Sequence, residues 1–171
     1  AHLKRHERSL PSFEEDLQRL EAVIERRKEQ TRRFFDSINE PTDLEHQSLN
    51  GQYYRGVALS LLPQRSETIM DMGTGSGLML PALVARAQRV IAVDASPTML
   101  ELARQTLENR GGRCDFRLGD LEQLPVEDGE VDAVVLCMVL HHLSHPAAAL
   151  AEAHRALKPG GWITIVDLHQ H

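Results

Sequence analysis

Asp71-Met72-Gly73-Thr74-Gly75-Ser76-Gly77 is the stretch that decides the fold. It follows a short apolar run, Glu67–Met72 (ETIMDM), and precedes an apolar periodic segment, Leu78–Ala87, so it reads as a turn between strand and helix. Glycines at every second position let the backbone turn sharply and approach a ligand, while the following helix offers unpaired amides. Asp94 closes the next apolar run, Arg89–Asp94 (RVIAVD), 21 residues beyond Gly73. An acid at that distance reaches the ribose hydroxyls of a nucleotide held at the switch point of a parallel sheet. Turn and acid together are a stronger signal than a glycine-rich turn alone.

Outward from this turn, the pattern repeats. Ser96 caps a helix running to about Asn109, with Pro97 at its first position. Arg113–Leu118 supplies a third strand. Val131–Met138 (VDAVVLCM) is a near-continuous apolar run, as expected of a parallel strand buried on both faces. Pro146–Leu157 reads as helix stopped by Gly160-Gly161, and Trp162–Leu168 (WITIVDL) as a fifth strand. Strands alternating with helices predict an α/β fold with a Rossmann-like, doubly wound parallel sheet of five strands.

The first 45 residues differ from the rest. Residues 1–40 hold nine basic and nine acidic side chains; residues 41–171 hold ten and sixteen, and so carry the whole net charge of −6. Gly51 is the first of eleven glycines. These shifts divide the chain into a helical arm, 1–45, and a globular domain, 46–171. The arm opens with a Ser12-x-x-Glu15 capping box. Phe13, Leu17, Leu20, Ile24, Arg27, Thr31, Phe34 and Ile38 then fall at alternating spacings of four and three, a heptad seam with two polar interruptions. Two readings fit the seam: a helix covering the flank of its own domain, or a helix that forms a homodimer or links to another domain.

At 171 residues with 42% hydrophobic and 26% charged residues, the chain suits one soluble domain with an appendage. An acidic balance argues against a nucleic-acid-coating surface, and 4% aromatics against a base-stacking platform. No apolar run approaches the length of a membrane span, and the N-terminus has no signal-peptide pattern. Two cysteines, Cys114 and Cys137, are too few for a disulfide framework, so a cytoplasmic location is expected.

Glycine spacing separates candidate cofactors. A dinucleotide fingerprint, Gly-x-Gly-x-x-Gly, needs glycine at position 78, which is Leu78; the third glycine is Gly77, and Asp71 precedes the first by two. That disfavours a nicotinamide-dependent oxidoreductase. DMGTGSG (71–77), VDASPTML (93–100), Gly119-Asp120 and LKPGG (157–161), in this order, resemble the motifs of class I S-adenosylmethionine-dependent methyltransferases over roughly residues 67–168.

The resemblance implies roles for individual residues. Gly73, Thr74, Gly75 and Gly77 would pass under the methionine part of S-adenosyl-L-methionine, and Asp71 would orient its amino group. Asp94 would hold the ribose hydroxyls, with Ala95 and Met99 flanking the adenine; Met99 fits a core helix position equally well. Asp120 and the Leu121 amide would read the adenine edge. The backbone from Cys137 to Val139 would face the sulfonium. S-adenosyl-L-homocysteine would be the product.

His141-His142-Leu143-Ser144-His145 follows the fourth strand at the ligand-binding edge of the sheet. His141 or His142 is a candidate base near the acceptor. No Cys, Glu or third His completes a metal set with His141 and His145, so no metal is expected. The expected function is methyl transfer to a small-molecule acceptor. The alternative is a module of a bacterial-type transcription regulator that senses S-adenosylmethionine or S-adenosylhomocysteine. That alternative rests on ERRKEQTRRFFDSI (25–38) and VDLHQH (166–171), which resemble bacterial proteins joining an arsenical-repressor-type winged helix to a methyltransferase-like domain. The winged helix is missing here, so nucleic acid would be met only through a domain absent from this chain. The resembling fold has seven strands and this sequence has segments for five, so a C-terminally incomplete fold with little turnover is expected.

Overall fold

A computed structural model describes residues 11–37, 51–108 and 113–168. The elements in order are α1 (Pro11–Asp36), α2 (Gly51–Leu61), β1 (Ser66–Met72), α3 (Leu80–Val84), β2 (Ala87–Asp94), α4 (Pro97–Leu107) and β3 (Cys114–Leu118). They are followed by β4 (Val131–Cys137), a single 3₁₀ turn (Leu140–His142), α5 (Pro146–Ala156) and β5 (Leu157–Val166). Ile38 of the expected seam, the rest of the arm to residue 45, the end of the second expected helix at Asn109, and His169 and His171 lie outside the described residues. The capping side chain of Ser12 is likewise not described.

The five strands are all parallel, in the order β3-β2-β1-β4-β5. This order reverses direction between β1 and β4, as a doubly wound sheet requires. Alternate residues of the central strands enter two separate cores. Met70, Met72, Ile91, Val93, Val134 and Leu136 pack toward Ala149, Ala153 and Ala156 of α5. Ile69, Val90, Ala92, Ala133 and Val135 pack toward Ala58 and Leu62 by α2, Leu80 and Leu83 of α3 and Ala103 of α4. Burying one large aliphatic side chain contributes about 1.5–3 kcal/mol, against about 0–1 kcal/mol for a surface ion pair. The two-sided sheet, not the many surface pairs, holds the fold.

Three expected boundaries shift. The helix expected over Leu78–Ala87 is only α3. Backbone bonds Gly77 N to Thr74 O (3.0 Å) and Leu80 N to Gly77 O (2.9 Å) continue the turn through residues 78 and 79. At the other end, Ser66 of β1 pairs with Ala87, so β1 draws Ala87 into β2. The third shift follows α5. That helix ends at Ala156, and Leu157 already pairs with Val131, while Trp162 pairs with Ala133. Two residues of β4 therefore span five of β5, and the glycine pair belongs to a bulge inside β5 instead of stopping a helix. The sequence reading also passed over α2 completely. Its glycines mask a helix whose Ala58 is fully buried under β4 and β5.

No helix among the described residues is long and apolar enough to cross a membrane. β5 is the sheet's edge among the described residues, with Trp162, Ile163 and Ile165 exposed.

Candidate active site

At the carboxyl ends of β1, β2 and β4 a cleft of about 890 Å³ opens, with its floor made by the glycine turn. This is where ligands bind to open parallel sheets. Gly73 and Gly77 have φ of +82° and +77°, a left-handed conformation that side chains resist. A Cβ on Gly77 would also lie 2.8 Å from the Ala103 backbone, so this glycine lets α4 pack against the turn. A Cβ on Gly75, by contrast, would meet nothing within 4 Å, because that position faces open space.

Asp94 fixes the turn. One carboxylate oxygen accepts from the Gly75 amide at 2.8 Å and the other from the Ser96 amide at 2.9 Å. Asp71 lies beneath, 2% exposed, and accepts a 2.7 Å bond from the Thr74 hydroxyl. Burial pushes its carboxyl up to about 6, with the Thr74 bond opposing and the nearby Asp94 charge adding to the rise.

The fourth strand ends abruptly. Met138 has φ of +61°, the one non-glycine residue with positive φ among those described. Such strain clusters at functional sites. This bend aims the Val139 and Leu140 amides at one oxygen of Asp167, at 2.9 and 2.6 Å. The other oxygen is 2.6 Å from His141 Nδ1. Burial would raise the Asp167 carboxyl, but the Leu168 and Leu140 amides and the His141 ring together hold it below the usual range. An ionised carboxylate only accepts, so Nδ1 carries the hydrogen and Nε2 is left as the basic atom. His142 lies beside it, with ring centroids 3.9 Å apart and the planes tilted by 44°. His145 bonds to a different carboxylate, Glu122, through both its amide (2.9 Å) and its ring (3.2 Å).

Of the expected cofactor residues, Asp71, Gly73, Thr74, Gly75, Asp94, Ala95, Asp120, Leu121 and Cys137 line the cleft, as do His141 and His142. Two do not. Met99 is fully buried in the core because α4 turns that face onto the sheet, and Gly77 serves helix packing behind the turn. Asp120 is engaged by the arm: Lys28 of α1 reaches Asp120 at 3.3 Å and Glu122 at 2.7 Å. The Cys137 thiol is pushed up to about 11 by burial and then by Asp71, so it stays neutral and is no nucleophile.

Sequence reasoning missed Asp167 behind His141 and, in the cleft lining, Tyr54, Arg55 and the wall supplied by Lys28 and Phe34 of α1. Asp167 alone had a signal, as an acid at the end of a strand. It also missed two serines lining the cleft, Ser76 and Ser144, whose buried hydroxyls have no hydrogen-bond partner among the described residues. A buried hydroxyl without a partner is costly, and a polar ligand would satisfy it.

The family described as "Methyltransferase domain" matches residues 70–165, more than half of the chain. The chain belongs to that family. It is 43% identical over 112 residues to a 37.1 kDa transposon protein of Streptomyces fradiae, covering 63% of this chain and 32% of that one. It is 32% identical over 152 residues to the demethylmenaquinone methyltransferase of Clavibacter sepedonicus, covering 86% of this chain and 62% of the relative. Among solved structures, the YcgJ protein of Bacillus subtilis superposes with a TM-score of 0.64 at 30% identity, covering 68% of this chain and 50% of that one. The chain thus spans between about a third and three-fifths of the length of these two curated relatives.

As a class I S-adenosylmethionine-dependent methyltransferase domain, the chain belongs with proteins whose cofactor is S-adenosyl-L-methionine. The residues present fit that group: a turn with an open side at Gly75, two acids beneath and beside it, and two unsatisfied hydroxyls in the same cleft.

Proposed function

We propose that the chain binds S-adenosyl-L-methionine in this cleft and moves its methyl group to a hydroxyl of a small-molecule acceptor, leaving S-adenosyl-L-homocysteine. The division into an arm, 1–45, and a binding domain, 46–171, is part of this reading, with α1 acting as one wall. The observation that carries it is His141 in the wall of a cleft floored by the glycine turn, with Asp167 2.6 Å from its Nδ1.

When bound, the cofactor supplies an electrophilic methyl group. Gly73, Thr74 and Gly75 would support its amino-acid end, Asp71 would accept from its ammonium group, and Asp94 would face its ribose. A hydroxyl is a poor nucleophile until its proton leaves. His141 Nε2 takes that proton, and Asp167 holds the ring in the tautomer that makes this possible. The rest of the catalysis is orientation of two reactants in one cleft.

Calorimetric titration of the chain with S-adenosylmethionine, S-adenosylhomocysteine and NAD in parallel tests the cofactor assignment. The first two are expected to bind and NAD is not. Binding of NAD alone would overturn it. Methyl transfer from labelled cofactor to a panel of hydroxylated quinols and phenols tests the reaction. Binding with no transfer to any hydroxyl would favour a sensing module instead.

The raised Asp71 carboxyl sets a pH dependence. Above about 6 it is ionised and able to receive an ammonium group; below that it is protonated and cannot. Affinity for S-adenosylhomocysteine is therefore expected to fall roughly tenfold for each pH unit below about 6. Titrations between pH 7 and pH 5 check this, with Asp71→Asn as the control. Asp71→Asn is expected to bind more weakly at pH 7 but to lose this slope, which separates Asp71 from the histidines in the same cleft.

A further inference from the structure

Of the two buried cleft hydroxyls without a hydrogen-bond partner among the described residues, Ser76 belongs to the glycine turn. The other, Ser144, lies outside all four motifs that carry the resemblance. Neighbouring hydroxyls are engaged: Thr74 donates to Asp71 at 2.7 Å, and Ser96 accepts from the Met99 amide at 3.2 Å. The loop that carries Ser144 is held on both sides. Before it, Asp167 accepts from the Val139 and Leu140 amides and lies 2.6 Å from His141 Nδ1. After it, Glu122 accepts from the His145 amide at 2.9 Å and lies 3.2 Å from the His145 ring nitrogen. A short loop between two such anchors keeps its side chains in place, so the Ser144 hydroxyl is preorganised for a ligand.

The second anchor also decides which end of the cleft Ser144 serves. The Glu122 amide donates to Asp120 at 2.8 Å, so residues 120–122 form one compact turn. His145 is fastened to that turn, and Ser144 is its chain neighbour. Asp120, Leu121, Glu122 and Ser144 all line the cleft. By the resemblance, Asp120 and the Leu121 amide would read the adenine edge. A carboxylate only accepts and an amide only donates, whereas a serine hydroxyl does both. Adenine presents an amine beside ring nitrogens that accept, an edge that such a hydroxyl suits. We propose that Ser144 is a cofactor-binding residue whose hydroxyl bonds the adenine of S-adenosyl-L-methionine, beside Asp120 and Leu121. This rests on the cofactor assignment made above. In the empty chain the unpartnered hydroxyl destabilises the fold, and bound adenine removes that cost.

Ser144→Ala in the full chain tests the inference through two readouts, neither of them turnover. Calorimetric titration with S-adenosylhomocysteine and with adenosine is the first. The variant is expected to bind both about three- to tenfold more weakly than the wild type, the worth of one hydrogen bond, and by the same factor for each. Thermal melting of the empty chain is the second. Because the hydroxyl makes no bond inside the protein, the variant is expected to melt no lower than the wild type. Unchanged affinity for S-adenosylhomocysteine in Ser144→Ala would overturn the proposal. So would a loss confined to S-adenosylhomocysteine with adenosine unaffected, which would place the hydroxyl away from the adenine. A lowered melting temperature would mark a structural bond and would overturn it as well. A wild type that binds neither ligand would instead remove the cofactor assignment itself, and this inference with it.

Discussion

His141→Ala is expected to lower kcat for methyl transfer to a hydroxyl acceptor by about 10²–10⁴-fold, the usual range for a lost general base. Affinity for S-adenosylhomocysteine should change little, because in the proposed reaction the ring meets the acceptor and its Nδ1 is bonded to Asp167. Asp167→Asn is the finer probe. An amide could present its NH₂ to Nδ1 and so favour the other tautomer, in which Nε2 carries the hydrogen. A smaller loss of kcat is expected, together with a displaced limb in the pH–rate profile. Asp167 also accepts from the Val139 and Leu140 amides, so the thermal midpoint of the variant must be measured alongside. Transfer that is unchanged in His141→Ala would remove the base from the mechanism while leaving the cofactor assignment intact.

Asp94→Ala is expected to weaken S-adenosylhomocysteine binding roughly ten- to a hundredfold, the equivalent of about 1.5–3 kcal/mol for charge-assisted bonds left unmade. Two effects add. One is the carboxylate that would face the ribose. The other lies inside the protein: the Gly75 and Ser96 amides lose their acceptors, and the turn loses its tie to the end of β2. Asp94→Asn keeps an acceptor for one amide and should fall between the two. Isothermal titration of the three proteins checks this order, and equal affinity across them would remove Asp94 from the site.

How far the sequence could be read depends on how local each cause is. The glycine turn, the Ser96 cap and the alternation of apolar strands are written in neighbouring residues, because φ preferences, capping bonds and two-sided burial act over a few positions. Accordingly the five parallel strands, Asp94 at its strand end and the histidines beyond the fourth strand were all legible. For Met99 the sequence left two readings open, adenine flank or core, because the face a helix turns to the sheet depends on how it packs; α4 buries that side chain in the core.

Other features exist only once distant segments meet. Asp167 becomes a partner of His141, 26 residues earlier, only because β5 lies beside β4 and Met138 bends the chain between them. The early end of α3 is decided by β1, which draws Ala87 into a strand, and the bulge at Lys158–Gly161 by the register β5 must keep with β4. In α1 the heptad spacing was visible, but not which half would be covered. The second half meets the domain, where Lys28 reaches Asp120 and Glu122, more than ninety residues away, while Phe13, Leu17 and Leu20 stay in solvent. Sequence by itself determined the sheet, the turn and the acid at the strand end, whose causes are local. Tertiary structure alone decided which acid holds the histidine and which face of the arm stays open, because both depend on contacts between segments that the chain brings together only on folding.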